Sequence, residues 1–353
     1  MEDTSYAFGP GKELIQCKSL AHSPALRWCA HPLAPGKPFM CRETPSQRPM
    51  RPCQLLCVLL CALATHPARA TEGGGSAYPV GVETNFTGLM LPEGSHFLLY
   101  YQHYRADRIY ANDGQQNPRI SNFSSRADVL ALRLSHVWRG VKLAGANLES
   151  RVVLPLPDVD LELTAGGIDR GGSRRGAGDL TLAPLFLGWH DGPLHRMAGI
   201  EVIAPSGSYD RDRPVNTGRN TWQLAALYGV TWLPGAWETS ARLRFAVNSR
   251  NRATDYRSGN ELSLEFSGGY RFAPGWSAGL NGYVYRQTSD DRQQGATVNG
   301  NGNGNRGAVN ALGPYVAWSP APGLGLVAKW QIESHARNRP QGQRLWLQAR
   351  YAF

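Results

Sequence analysis

The residues of this chain that could do chemistry are charges set two apart. Glu238, Ser240, Arg242 and Arg244 alternate with Trp237, Leu243, Phe245 and Val247, and Glu261, Ser263, Glu265 and Arg271 alternate with Leu262, Leu264, Phe266, Tyr270 and Phe272. Successive side chains of a strand point to opposite faces, so such a segment has one charged face and one apolar face. Along the chain the charged faces collect Arg133, Arg151, Arg242, Arg244, Arg271, Lys329 and Arg350 against Glu149, Glu201, Glu238, Glu261, Glu265 and Glu333. Charges that nearly cancel can pair across strands and hold a wall together, or they can form a constriction that selects what passes. Folding the chain about Thr254 and Asp255 sets Arg242 or Arg244 opposite Glu265. Tyr283 and Tyr285 share a polar face with Ser277, Gly279, Asn281 and Gln287. Their rings could stack on an aromatic solute or only fill volume.

The elements that must carry these faces are strands. Alternation bounded by turn residues predicts twelve, at about 96–106, 127–138, 146–157, 179–190, 194–204, 220–233, 236–249, 259–272, 275–288, 308–319, 323–335 and 343–353. Their connections alternate in length. Long ones fall at 107–126, 158–178, 205–219, 250–258, 289–307 and 336–342. Short ones fall at Arg139 to Gly145, Asp191 to Pro193, Pro234-Gly235, Ala273-Pro274 and Pro320 to Pro322. Six long and five short connections fit an antiparallel up-and-down barrel with both ends on the short-turn side.

The environment of that barrel follows from solvation. Arg or Lys on a lipid-facing strand position costs about 2–4 kcal/mol at the bilayer midplane. The charged faces must therefore look into a lumen and the apolar faces into lipid. Trp222, Tyr228, Trp232, Trp237, Trp276, Trp318, Trp330 and Tyr351 then fall on the outer face, several near strand ends, as an aromatic girdle. A dozen strands enclose much less space than a porin of 16–18, so the paired charges predict a narrow or partly occluded lumen. The expected fold is an all-β transmembrane barrel of about twelve strands, with long extracellular loops and short periplasmic turns, in the bacterial outer membrane.

Targeting signals agree. Leu55 to Ala64 is too short to span a bilayer as a helix and reads as the core of a secretory signal peptide at 50–70, with Met50-Arg51 before it and Ala68-Arg69-Ala70 as the cleavage site. The mature chain is then expected to begin at Thr71. Residues 1–49 read as an upstream extension from a misassigned start, 71–93 as a short periplasmic segment, and 94–353 as the barrel. All six cysteines precede Ala70, which excludes disulfides and thiolate metal sites from the mature domain. Cys57 and Cys61 each follow a Leu where lipidation requires a small residue.

Other function classes find little support. From residue 71 onward there are 29 Lys/Arg against 23 Asp/Glu, spread along the chain, so no basic run suits nucleic acid. Ser206, Ser208, His136, His190 and His195 stand in no recognisable nucleophilic arrangement, and no metalloprotease, Walker or dinucleotide motif is present. The expectation is no enzymatic activity, no cofactor and no metal. The final strand alternates Leu345, Leu347, Ala349, Tyr351 and Phe353 against Arg344, Trp346, Gln348, Arg350 and Ala352. It should close the barrel against Phe97, Leu99 and Tyr101, with Arg350 facing Glu333 or a polar residue of the first strand and Phe353 as an assembly signal.

Seven segments are too specific to be composition: GDLTLAPLFLGW (178–189), APSGSYD (204–210), NTGRNTW (216–222), DYRSGNEL (255–262), GYVYRQTSDD (282–291), ALGP (311–314) and NRPQGQRLWL (338–347). In this order and spacing the chain resembles the outer-membrane family called "MetA-pathway of phenol degradation", from about Gly94 to Phe353. Membership implies an outer-membrane transporter linked to aromatic catabolism. The expected function is passive uptake of small hydrophobic or aromatic compounds; the alternative is a plugged structural or surface-interaction barrel. Expected partners are membrane lipid, the barrel assembly machinery and a small solute.

The motif residues cluster where strands meet long loops. Asp210, Arg219, Asp255, Arg257, Asp290 and Asp291 place charge at the expected extracellular mouth, with Tyr209 and Tyr256 beside them. They either form a salt-bridged rim or gather ligand. The Asn/Gly tract at 299–305 reads as an exposed loop tip.

Overall fold

In the computed structural model residues 75–300 and 302–352 are described. The expectations for 1–49, for the signal peptide at 50–70, for a start at Thr71 and for Phe353 lie outside them.

Sixteen strands follow in chain order: β1 Gly94–Tyr110, β2 Ile120–Leu143, β3 Ala146–Ala165, β4 Ile168–Arg175, β5 Leu180–Asp191, β6 Leu194–Ala204, β7 Gln223–Trp232, β8 Trp237–Asn248, β9 Tyr256–Arg257, β10 Glu261–Ala273, β11 Trp276–Gln287, β12 Arg292–Gln293, β13 Ala296–Thr297, β14 Ala308–Ala321, β15 Leu324–Arg337 and β16 Arg339–Ala352. Twelve of them form a ring of antiparallel neighbours, β1-β2-β3-β5-β6-β7-β8-β10-β11-β14-β15-β16, and β16 pairs back onto β1. The closing register sets Phe97 opposite Tyr351, Leu99 opposite Ala349 and Tyr101 opposite Leu347, as the alternation of both segments requires. No unpaired edge then faces lipid.

The faces divide as solvation demands. Trp237, Phe272, Tyr351, Trp222, Trp232, Leu243 and Trp330 are exposed on the outer wall, while Arg133, Glu149, Arg242, Arg244, Glu265, Lys329 and Glu333 are buried inside. Trp276 stacks on Trp318 at 5.1 Å and Trp237 meets Tyr270 edge-on at 5.0 Å, forming aromatic pairs at the short-turn end.

Five expected loops are partly strand. The connection at 107–126 shortens to 111–119, and that at 336–342 to the single residue Asn338, whose φ of 51° gives the tight reversal. The loop at 158–178 is a β-hairpin: β3 runs 20 residues, turns at Gly166-Gly167 and returns as β4, which pairs with Asp158–Ala165 beyond the reach of β5. The physical reason lies in Asp158, Asp160 and Glu162 alternating with Val159, Leu161 and Leu163. A strand above the membrane alternates as well as one within it, but its polar face looks to water. β9, β12 and β13 form a small second sheet in the loops.

Candidate lumen site

The described part of the segment expected to lie in the periplasm is inside the barrel. Residues 75–93 have no period, and their polar groups are satisfied by the inner wall. Ser76 donates to Glu261, and the Tyr78 hydroxyl donates to Glu265 at 2.9 Å while accepting from Arg242 at 2.9 Å. The Gly81 amide donates to Glu265, and Arg344 donates to the Val80 carbonyl at 2.7 Å. Lys329 Nζ reaches the carbonyls of Gly81 (3.0 Å) and Val82 (2.6 Å) and the Thr84 hydroxyl (3.1 Å). Gln348 donates to Val82 O at 2.7 Å. Further down, the amides of Phe86 and Gly88 donate to Ser240 (3.0 Å) and Thr231 (2.9 Å). Gly88 lies so close to the wall that a Cβ there would stand 2.5 Å from the His195 carbonyl and the Thr231 amide.

The physical reason for this placement is compensation. A narrow lumen lined by guanidinium and carboxylate groups must satisfy them without bulk water, and an extended chain offers an amide and a carbonyl at each residue. Sequence periodicity gave no sign of it, because an extended chain bonded on several sides has no single buried face. Tyr78 and Glu83 were missed for that reason.

The lumen charges form three paired groups. Arg133 joins Glu83 (3.0 Å) and Glu149 (3.2 Å), and Arg151 also holds Glu149 at 2.5 Å. Arg242 and Arg244 clamp Glu201 at 2.9 and 3.0 Å, and Arg242 lies 3.7 Å from Glu265, its cross-strand partner in the β8–β10 register. Arg344 pairs with Glu333 at 3.2 Å, and Tyr283 and Tyr104 donate to the same carboxylate at 2.5 and 3.1 Å. Arg344, absent from the inventory of inward charges, thus takes the Glu333 partnership expected for Arg350. Glu261 accepts from Gln223 (3.1 Å) and Asn248 (3.0 Å), and Glu238 from Tyr315 at 2.5 Å.

Tyr283 and Tyr285 are inward and buried, in one cluster with Tyr78, Val80, Ile203 and Val309. The Arg339 guanidinium lies 4.7 Å over the Tyr285 ring. Arg271 departs from the expectation. It is exposed and donates to the Gly235 carbonyl, because β10 has already reached the short-turn end where the lumen meets solvent.

At the mouth, Asp210 pairs with Arg213 at 3.2 Å, Asp255 with Arg250 at 2.8 Å and Asp290 with Arg306 at 2.7 Å. The Arg219 amide donates to Asp179 at 2.7 Å and Arg257 Nε to the Asn248 carbonyl at 3.1 Å. Asp291 is not a mouth charge. It is fully buried and accepts from the Gly259 amide (2.8 Å), Gln287 (2.6 Å) and the Tyr256 hydroxyl, tying its own loop to the connection between β8 and β10 and to the end of β11. His190 and His195 meet at 2.8 Å across a short turn, and Ser206 accepts from the Leu180 amide at 2.8 Å. Among the described residues no group of three or more His, Cys, Asp or Glu could hold a metal.

Near the short-turn end the lumen changes character. Met90, Leu91, Val137, Ala183, Phe186, Met197 and Leu227 form a buried apolar cluster, with Leu98 packed against it. Beside it lies a cavity of about 120 Å³ bounded by Glu83, Phe86, Leu98, Tyr100, Phe186, Met197 and Leu227, and by four guanidinium groups, Arg133, Arg151, Arg242 and Arg350.

A protein-family model described as "Putative MetA-pathway of phenol degradation" matches residues 106–349. No curated protein matches the chain. Among solved structures, an outer membrane channel from Pseudomonas putida F1 is similar at 23% identity and a TM-score of 0.63, over 75% of this chain and 97% of that one. The likeness is one of fold. More distant are the beta domain of the Bordetella autotransporter BrkA (16% identity, TM-score 0.41, 74% of this chain and 100% of that one) and a Pseudomonas aeruginosa FadL homologue (11%, 0.40, 81% and 97%).

Proposed function

The chain belongs to the MetA-pathway of phenol degradation family of bacterial outer-membrane β-barrels, and from that premise we propose that it is a channel for passive uptake of small hydrophobic or aromatic compounds. One observation carries the reading: toward the short-turn end the inner wall bears an apolar patch of Phe186, Met197, Leu227 and Leu98, packed against Met90 and Leu91 of the inner segment and next to a cavity. Uncovering that patch to water is unfavourable by about 25 cal/mol per Å², whereas an apolar solute can replace the inner segment on it. In this reading the 75–93 segment closes the axis to water and shifts to let solute pass. Tyr283 and Tyr285 form the upper aromatic surface, Arg133, Arg242, Arg244, Glu261, Glu265 and Lys329 hold the segment in the closed position, and Arg151, Glu201 and Glu333 fix the wall groups around them.

Proteoliposomes loaded with the full barrel and offered a panel of phenols and alkyl aromatics test this. Uptake above empty vesicles is expected, together with slower growth of a deletion strain on an aromatic substrate at low concentration. Unchanged uptake across the panel with no conductance in planar bilayers overturns it.

The density of bonds between the 75–93 segment and the wall favours a second reading, a plugged barrel that conducts nothing and presents its loops to a surface partner. A barrel that passes no aromatic solute even after deletion of 75–93 supports that reading.

A further inference from the structure

The cavity at the short-turn end holds four guanidinium groups, and the carboxylates nearby do not pair all of them. Of its four guanidinium groups, Arg133 and Arg151 share Glu83 and Glu149, and Arg242 has Glu201 and Glu265. Arg350 makes no ion pair with a carboxylate among the described residues. It faces inward from β16 at positions where its neighbours across the strands are Leu98 and Gly325, which offer no acidic side chain. It is half-buried in a space bounded by Phe186, Leu98, Met197 and Leu227. A partly desolvated cation without a partner, set against apolar surface, is complementary to an anion with an apolar body.

Size narrows the class. The cavity of about 120 Å³ is close to the roughly 150 Å³ apolar cavity that admits benzene. A single substituted ring is of that size. We propose that this cavity is a binding site for a small monocyclic aromatic carboxylate, with the carboxylate on Arg350 and the ring against Phe86 and Leu98, which line the cavity and are only partly buried. The proposal rests on the uptake reading and deepens it: an ionised aromatic acid is the solute held at the periplasmic exit. Planar guanidinium pairs with both carboxylate oxygens at once, a geometry that Lys reproduces only in charge.

The test is ligand titration of the detergent-purified full chain, read by saturation-transfer NMR and calorimetry, with benzoate as probe and benzyl alcohol as its uncharged counterpart. Benzoate is expected to bind at least tenfold more tightly than benzyl alcohol. R350Q should lose that preference while leaving benzyl alcohol unchanged, R350K should retain part of it, and R271Q, at the exposed turn, should retain all of it. L98W, which fills the cavity without altering charge, should weaken both ligands. Heat-modifiable migration on gels establishes that each variant is a folded barrel. Equal binding of the two probes, benzoate affinity unchanged in R350Q, or no benzoate binding at all overturns the proposal. Uptake measured separately keeps the two readings apart. Neutral aromatics that still enter vesicles while R350Q binds benzoate normally remove the site and leave the channel; intact benzoate binding without any uptake removes the channel and leaves the site.

Discussion

Lys329 and Gly81 lie 248 residues apart in sequence, yet the Lys329 ammonium donates to the Gly81 carbonyl at 3.0 Å. The same ammonium reaches Val82 O and Thr84 Oγ1 and has no carboxylate partner within 4.0 Å among the described residues, so the wall holds the inner segment by a cation in a cage of two carbonyl oxygens and a hydroxyl. Hydrogen bonds to charged groups contribute about 1.5–3 kcal/mol each. Lys329→Met is therefore expected to loosen residues 79–84. Single-channel conductance in planar bilayers should rise, and a cysteine placed at Ser76 should label faster than in the parent chain.

Glu149 is fully buried between Arg133 and Arg151. Removing one member of a buried pair leaves the others uncompensated and costs about 3–5 kcal/mol. Glu149→Ala should lower the urea midpoint for unfolding from lipid accordingly. Asp255→Ala, which breaks an exposed pair with Arg250, should change it by less than about 1 kcal/mol.

The lipid face can be tested by depth. Leu243 sits midway along β8 and Trp237 at its short-turn end, both exposed on the outer wall. Leu243→Arg should destabilise the folded barrel by about 2–4 kcal/mol, whereas Arg at the interfacial depth of Trp237 costs about 0–1 kcal/mol from charge alone. Equilibrium folding into lipid vesicles measures both.

Asp291 holds Gly259, Gln287 and Tyr256 together. Asp291→Ala leaves those donors without their shared acceptor, at about 1–3 kcal/mol for each that stays buried. The loop at 289–307 should then become sensitive to limited proteolysis on whole cells while the barrel itself stays folded.

The barrel was legible because lipid and lumen impose opposite demands on alternate residues, and that demand repeats along every spanning strand. Arg242 or Arg244 could be set opposite Glu265 in advance for the same reason, since a turn fixes which residues face each other, and the register selects Arg242. Arg271 was misplaced because alternation carries no information about depth: an inward residue at the end of β10 meets solvent instead of lumen. Asp291 was misread because a carboxylate in a loop looks alike whether it faces water or gathers three donors. The inner segment left no trace in the pattern, as Tyr78 and Glu83 acquire their roles only from Arg242, Glu265 and Arg133 on distant strands.

Closure of the ring also sets an order of events. The segment at 75–93 runs directly into β1, and β1 makes the final seam with β16. Its bonds to Lys329 and Gln348 join positions 245 to 266 residues apart, among the most nonlocal contacts in the chain, and contacts of that kind form late because they must first close the longest loops. A nascent barrel held open between Phe97 and Tyr351 therefore lacks the cage around Lys329. Sealing the wall and filling the lumen become one event, timed by the arrival of the last strand.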